Sequence, residues 1–90
     1  MTSDAIEKME NSTIQHGKYN DRVYLMKLAM RDMPGIVAAV ESMARERKYG
    51  KIFAKVPARA CPVFLERGYR EEGAIPRFFD GEEPARFLAK

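Results

Sequence analysis

The sequence predicts an α+β fold, sandwich-like in the α/β manner: a mixed, largely antiparallel sheet of about five to six strands carrying two helices. Three observations predict it. The segment "DMPGIVAAVESMARERK" places Ile36, Val37, Val40, Met43 and Ala44 on one stripe of a 3.6-residue period. Short runs rich in β-branched and aromatic residues flank that helix on both sides. Clusters of Gly, Pro, Asn and Asp break the runs at short intervals, so that strands and helices follow one another in the order β(β)β-α-β-α-β-β.

"AIEKME" and "STIQ" open the chain as short strands, and "RVYLMKL", apolar at almost every position, reads as a mid-sheet strand covered on both faces. Between the last two, "HGKYND" is a hairpin loop by residue type, with Gly17 free to take positive φ and Asn20 and Asp21 able to hydrogen-bond local backbone. Asp32 is placed to cap the central helix, Pro34 falls in its first turn, and Glu41 and Arg45 form an i,i+4 pair on its outer face. After Gly50, "KIFAKV" alternates Phe53 and Lys55 against Ile52, Ala54 and Val56, a strand with one partly wet face. A short helix from near Pro62 carries Phe64 and Leu65 inward and ends at Gly68. "YREEGAI", stopped by Pro76, and "ARFLAK", after the turn "FDGEEP", complete the sheet.

Ninety residues suit one small domain over 1–90, which buries roughly 60–65% of the surface its unfolded chain exposes. Hydrophobic residues at 46% and charged residues at 32% are the mixture of a folding chain. The longest apolar run, Ile36 to Val40, is far short of a membrane span, and the polar start has no signal-peptide core, so no membrane and a cytoplasmic location are expected. A single cysteine and a single histidine make neither a disulfide nor a structural zinc site, and no metal is expected. The net charge of +3 is spread among acidic residues; "KYGKIFAK" is the nearest approach to a basic stripe with aromatics, and strand alternation explains it without nucleic acid.

From Phe64 to Lys90 the pattern resembles the C-terminal half of the GNAT acetyltransferase fold. Together, "IQHGKYNDRVYLMKL", "KIFAKVP", "GY", "IPRFFDGEE" and "ARFLAK" resemble the N-terminal region of the β-lysine N-acetyltransferases. The resemblance covers essentially the whole chain. It implies a GNAT-like partial fold and a region that precedes the catalytic domain of enzymes that use acetyl-CoA to make Nε-acetyl-β-lysine, a compatible solute for osmotic protection. It also implies partners: the catalytic acetyltransferase domain, or a second copy in a homodimer. Two alternatives stand beside this reading, a small GNAT-type acetyltransferase acting alone and a small nucleic-acid-binding domain.

The residues depart from the family where its chemistry resides. GNAT enzymes hold the CoA pyrophosphate at a Gln/Arg-x-x-Gly-x-Gly/Ala turn between strand and helix. Here the first such junction, "KLAMRDMPGIVA", offers only Gly35, with Asp32 facing an incoming phosphate. Where the family often has a general-acid tyrosine, four residues before the glycine, this chain has Phe64. No catalytic and no cofactor-binding residue is therefore assigned, and the chain is expected to bind no cofactor and to be inactive alone. Tyr69 reads as core, Glu71 and Glu72 as a solvated edge, Cys61 as a buried inert thiol, and His16 as a solvated loop residue. The candidates for a substrate-side or interface contact are His16, Asp21, Arg22, Phe78 and Phe79: Asp21 for an ammonium, Arg22 for a carboxylate, and the phenylalanine pair because two successive rings cannot both face inward on a regular strand.

Overall fold

The computed structural model describes residues 4–79, 81 and 83–90. The strands β1 (Ala5–Met9), β2 (Ser12–Gly17) and β3 (Arg22–Lys27) form an antiparallel meander. The helix α1 (Gly35–Arg47) then crosses over to β4 (Lys51–Pro57), which pairs parallel to β3. After the helix α2 (Cys61–Glu66), the strands β5 (Arg70–Phe79) and β6 (Glu83–Ala89) close a six-stranded sheet in the order β1-β2-β3-β4-β6-β5. This is the predicted mixed, largely antiparallel sheet with two helices.

Register and burial place both helices on one face. Ile14 pairs with Leu25, Leu25 with Ala54 and Ala54 with Leu88, so these side chains share a side of the sheet. They form one core with Ile36, Val37 and Val40 of α1 and Phe64 of α2. The alternate residues, among them Ile6, Tyr24, Met26, Phe53 and Phe87, lie on the opposite face, which no helix of the described residues covers; Ile6 is 62% exposed. The strand β3 is thus central as expected, but it is covered by helices on one face only.

Several local expectations change for identifiable reasons. Asp32 does not cap α1: Pro34 occupies the cap position, with no side-chain bond, and the Asp32 carboxylate is taken by Asn11 and Ser12. Glu41 does not pair outward with Arg45. It is buried at 8% exposure, where Arg67 donates to Oε1 through Nε (3.1 Å) and Nη2 and Lys90 Nζ donates to Oε2 at 3.2 Å. Leu65 is 45% exposed, because this short helix packs inward through Cys61 and Phe64. The strand β5 continues through Pro76 to Phe79; it is an edge strand, where a missing N–H is tolerated, and its register shifts between Ile75 and Phe79. The expected "FDGEEP" turn includes Asp80 and Glu82, which lie outside the described residues.

The "HGKYND" loop is shorter than its composition suggests, since His16 and Gly17 belong to β2. Asp4 holds the remaining turn: its buried carboxylate accepts from Tyr19 N (3.1 Å), Asn20 N (3.3 Å) and Asn20 Nδ2 (2.9 Å). Glycine is required at position 17 because a Cβ there would occupy the space of the Asp4 carboxylate.

The Glu41 clamp sets an acid dependence. Arg67 and then Lys90 hold the Glu41 carboxyl below its ordinary value of 4.5, against the cost of burial. A depressed folded pKa contributes stability above the unfolded value, and that stability is lost as pH falls through the folded pKa. Urea unfolding from pH 7 to 2.5 should therefore show the native chain losing stability below about pH 4.5, with a shallower decline for Glu41→Gln. Identical slopes would show that the clamp contributes nothing.

Candidate functional site

Two places on the fold could carry chemistry, the junction of β3 with α1 and the point where β3 and β4 part. At the first, Lys27 ends β3, a turn of 3-10 helix spans Met30–Asp32, and Gly35 opens α1. The turn is tied down by side chains. Asn11 donates to Asp32 from its backbone N (2.9 Å) and from Nδ2 (2.8 Å), the Ser12 hydroxyl donates to Asp32 at 2.6 Å, and Ala29 N donates to Ser12 Oγ at 2.9 Å. The Ser12 hydroxyl and the Asn11 amide hold the Asp32 carboxyl below its ordinary range, so it is ionised at neutral pH.

A hollow of about 400 Å³ lies at the start of α1, walled by Glu10, Asn11, Arg31, Asp32 and Gly35. Its charged side chains are two carboxylates and one guanidinium. A CoA pyrophosphate would need the opposite balance and a run of free N–H groups around it. The residues present do not fit that group, even though the Asp32 carboxylate is held by Asn11 and Ser12. The position of the family's acid tells the same way. Phe64 is fully buried, its ring 5.1 Å from that of Tyr69 in an edge contact, and a phenyl ring has no proton to donate. Tyr69 itself is 3% exposed, and burial together with Glu41 drives its phenol pKa up. Burial likewise raises the Cys61 thiol, with Glu71 adding to the effect, so no thiolate forms readily at the start of α2. Glu71 pairs with Arg86 at 2.7 Å, as an exposed edge residue would.

At the second place β3 and β4 pair from Arg22↔Lys51 to Leu25↔Ala54 and no further, while β4 stays paired to β6 as far as Pro57. A second hollow of about 400 Å³ opens there between Met26, Leu28, Lys55, Phe78 and Phe79. Phe78 and Phe79 meet edge to face at 5.0 Å, and Lys55 Nζ lies 4.9 Å from the centre of the Phe78 ring. The irregular register of β5 is what lets two successive rings share one hollow.

The sequence candidates divide between the two faces. Phe78 and Phe79 line the hollow on the open face, and Arg22 lies on the same face over the rings of Tyr24 (5.2 Å) and Phe53 (5.6 Å). Asp21 sits in the β2–β3 turn at φ 54°, its carbonyl accepting from Gly50 N at 3.1 Å. His16 is not a solvated loop residue. It is 5% exposed on the helix-covered face, with Nδ1 hydrogen-bonded to the Tyr49 hydroxyl at 2.9 Å and Nε2 3.0 Å from Glu7 Oε2. The sequence reading missed Asp4, Glu7, Ser12 and Tyr49 as partners; each is polar and unremarkable in its own segment, and no local spacing links Tyr49 to His16 across 33 positions. Among the described residues, no group of three or more His, Cys, Asp or Glu could hold a metal ion, and no helix is long and apolar enough to cross a membrane.

Tyr49→Phe should cost about 1–2 kcal/mol of stability in urea unfolding at pH 7, because it leaves a ring nitrogen of buried His16 without a partner. An unchanged midpoint would show water replacing the phenol. Ser12→Ala should cost a similar ~1–2 kcal/mol, since that buried hydroxyl both donates to Asp32 and accepts from Ala29.

No family model matches the chain. It is 33% identical over 87 residues to the beta-lysine N(6)-acetyltransferase of Methanococcus maripaludis, an alignment covering 97% of this chain and 31% of that protein. The chain therefore spans about a third of the length of the curated relative it matches. Among solved structures, it superposes on an acetyltransferase from Bacillus cereus with a TM-score of 0.60 at 20% identity, over 98% of this chain and 71% of that one. The ribosomal-protein-alanine N-acetyltransferase of Brucella melitensis gives a TM-score of 0.60 at 18% identity, over 94% and 65%. Nourseothricin acetyltransferase gives 0.57 at 21%, over 87% and 54%. Strand order, helix placement and these superpositions agree: the chain has the GNAT acetyltransferase fold, and its sequence is related to that of a β-lysine N(6)-acetyltransferase.

Proposed function

We propose that this chain is the N-terminal, non-catalytic part of a β-lysine N-acetyltransferase, an acetyl-CoA-dependent cytoplasmic enzyme that makes Nε-acetyl-β-lysine as a compatible solute. Its role is structural: it packs against the catalytic portion of the longer protein and does not itself transfer acetyl groups. The observation that carries the reading is the match of almost the whole chain to about a third of the relative, which leaves two thirds of that protein for the chemistry. The site supports it. The hollow at the helix start is lined by two carboxylates and one guanidinium, a balance that does not suit a pyrophosphate, and the residue four before Gly68 is a buried phenylalanine. The active centre, its acetyl-CoA and its β-lysine then belong to the polypeptide outside these residues.

Isothermal titration of acetyl-CoA into the folded chain should give no heat up to about millimolar ligand. One-to-one binding in the micromolar range would overturn the reading in favour of a small acetyltransferase acting alone. Acetyl-CoA-dependent acetylation of β-lysine by the purified chain would do the same.

A further inference from the structure

The open face of the sheet is cationic over β1 to β4. On the side away from the helices, β1 to β4 present the cations Lys8, Arg22, Lys51 and Lys55 and no carboxylate, although the chain as a whole has 13 acidic residues. The cations are laid over the apolar rings: the Arg22 guanidinium lies 5.2 Å from the Tyr24 ring centre and 5.6 Å from that of Phe53, and Lys51 Nζ lies 5.8 Å from the latter. Arg22 is under-used. Its side chain makes one long hydrogen bond, from Nη2 to Gln15 Oε1 at 3.5 Å, and its Nε has no partner among the described residues. A guanidinium has five N–H donors, and a carboxylate is the acceptor that matches its planar fork.

We propose that this face docks an acidic amphipathic helix, supplied by the polypeptide that lies outside these residues in the longer protein. The proposal rests on the reading of the chain as part of such a protein and adds where the remainder bears and with what chemistry. Charge complementarity selects an acidic helix: its carboxylates would meet Arg22 and Lys51, paired neighbours on β3 and β4, toward one end of the face and Lys8 and Lys55 toward the other. Sheet geometry selects a helix. The β3–β4 pair is parallel, and parallel strands are ordinarily covered on both faces, the second cover in a layered domain being helical. The hollow between Met26, Lys55 and Phe78, about 400 Å³, accepts one large apolar side chain from the helix stripe. A second copy is a poor occupant, because face-to-face pairing would set these cations against themselves. There is chain enough to supply the helix: the relative extends well beyond the 31% matched here.

The test uses the ninety-residue chain and two labelled 18-residue helical peptides sharing a Leu/Ala stripe, one flanked by Glu and one by Lys, read by fluorescence anisotropy. The acidic peptide should bind at least about tenfold more tightly than the basic one. The double variant K51E/K55E, a change of two surface charges, should abolish or reverse that preference with its circular dichroism unchanged. Equal affinities, or a preference unaltered in the double variant, would overturn the proposal. So would tighter, salt-sensitive binding of a 12-nucleotide oligo(dT), which would make the face a nucleic-acid surface. Sedimentation showing a dimer dissolved by K51E/K55E would give the face to a second copy instead. None of these outcomes depends on acetyl-CoA, so failure here leaves the assignment of the chain as a non-catalytic part standing, and acetyl-CoA binding would refute that assignment without touching the charge preference.

Discussion

The parallel pairing of β3 with β4 is the constraint on which the rest of the structure depends. Two parallel strands cannot be joined by a tight turn, so the chain must cross over between them, and α1 is that crossover. Its apolar stripe then decides which face of the sheet is buried: Ile36, Val37 and Val40 draw Ile14, Val23, Leu25, Ile52 and Ala54 into one core. Everything on the alternate positions is consigned to the other face. Because the pairing stops at Leu25 and Ala54 while β4 follows β6 onward, the sheet opens at this point, and the hollow that takes Phe78 and Phe79 is a consequence.

Polar groups fix the ends of these elements. Asp4 folds the β2–β3 turn onto itself, Asp32 ties the start of α1 to the β1–β2 turn, and Glu41 binds α1 to Arg67 beyond α2 and to Lys90 at the end of the chain. Each is a carboxylate with several donors aimed at it, which is how an acidic side chain stays in a partly buried place without a large desolvation penalty. An Asp32 committed to Asn11 and Ser12 makes the helix start a structural joint.

The two faces of the sheet accordingly have different characters. The helix-covered face is a finished core, with Phe64 and Tyr69 packed edge to face and His16 held between Glu7 and Tyr49. The open face keeps aromatic rings under cations with no carboxylate beside them on β1 to β4.

Periodicity and residue type alone determined the strand and helix order, the mixed sheet, the inward stripe of α1 and the buried positions of Phe64 and Tyr69. These depend on patterns that repeat within a few residues, and neighbours in sequence are neighbours in space over that range. The similarity to acetyltransferases was legible in the same way, in the order of short segments. Tertiary structure decided what paired with what. It moved Asp32 from a helix cap to a clamp and Glu41 from an outer-face pair to a buried anchor, and it took His16 from a solvated loop to a partner of a tyrosine 33 residues away. It also carried β5 through Pro76 by making it an edge strand, and left one face of β3 bare. Each of these outcomes turns on which long-range partner reaches a polar group first or which side of the sheet a helix lands on, and no local pattern encodes that choice.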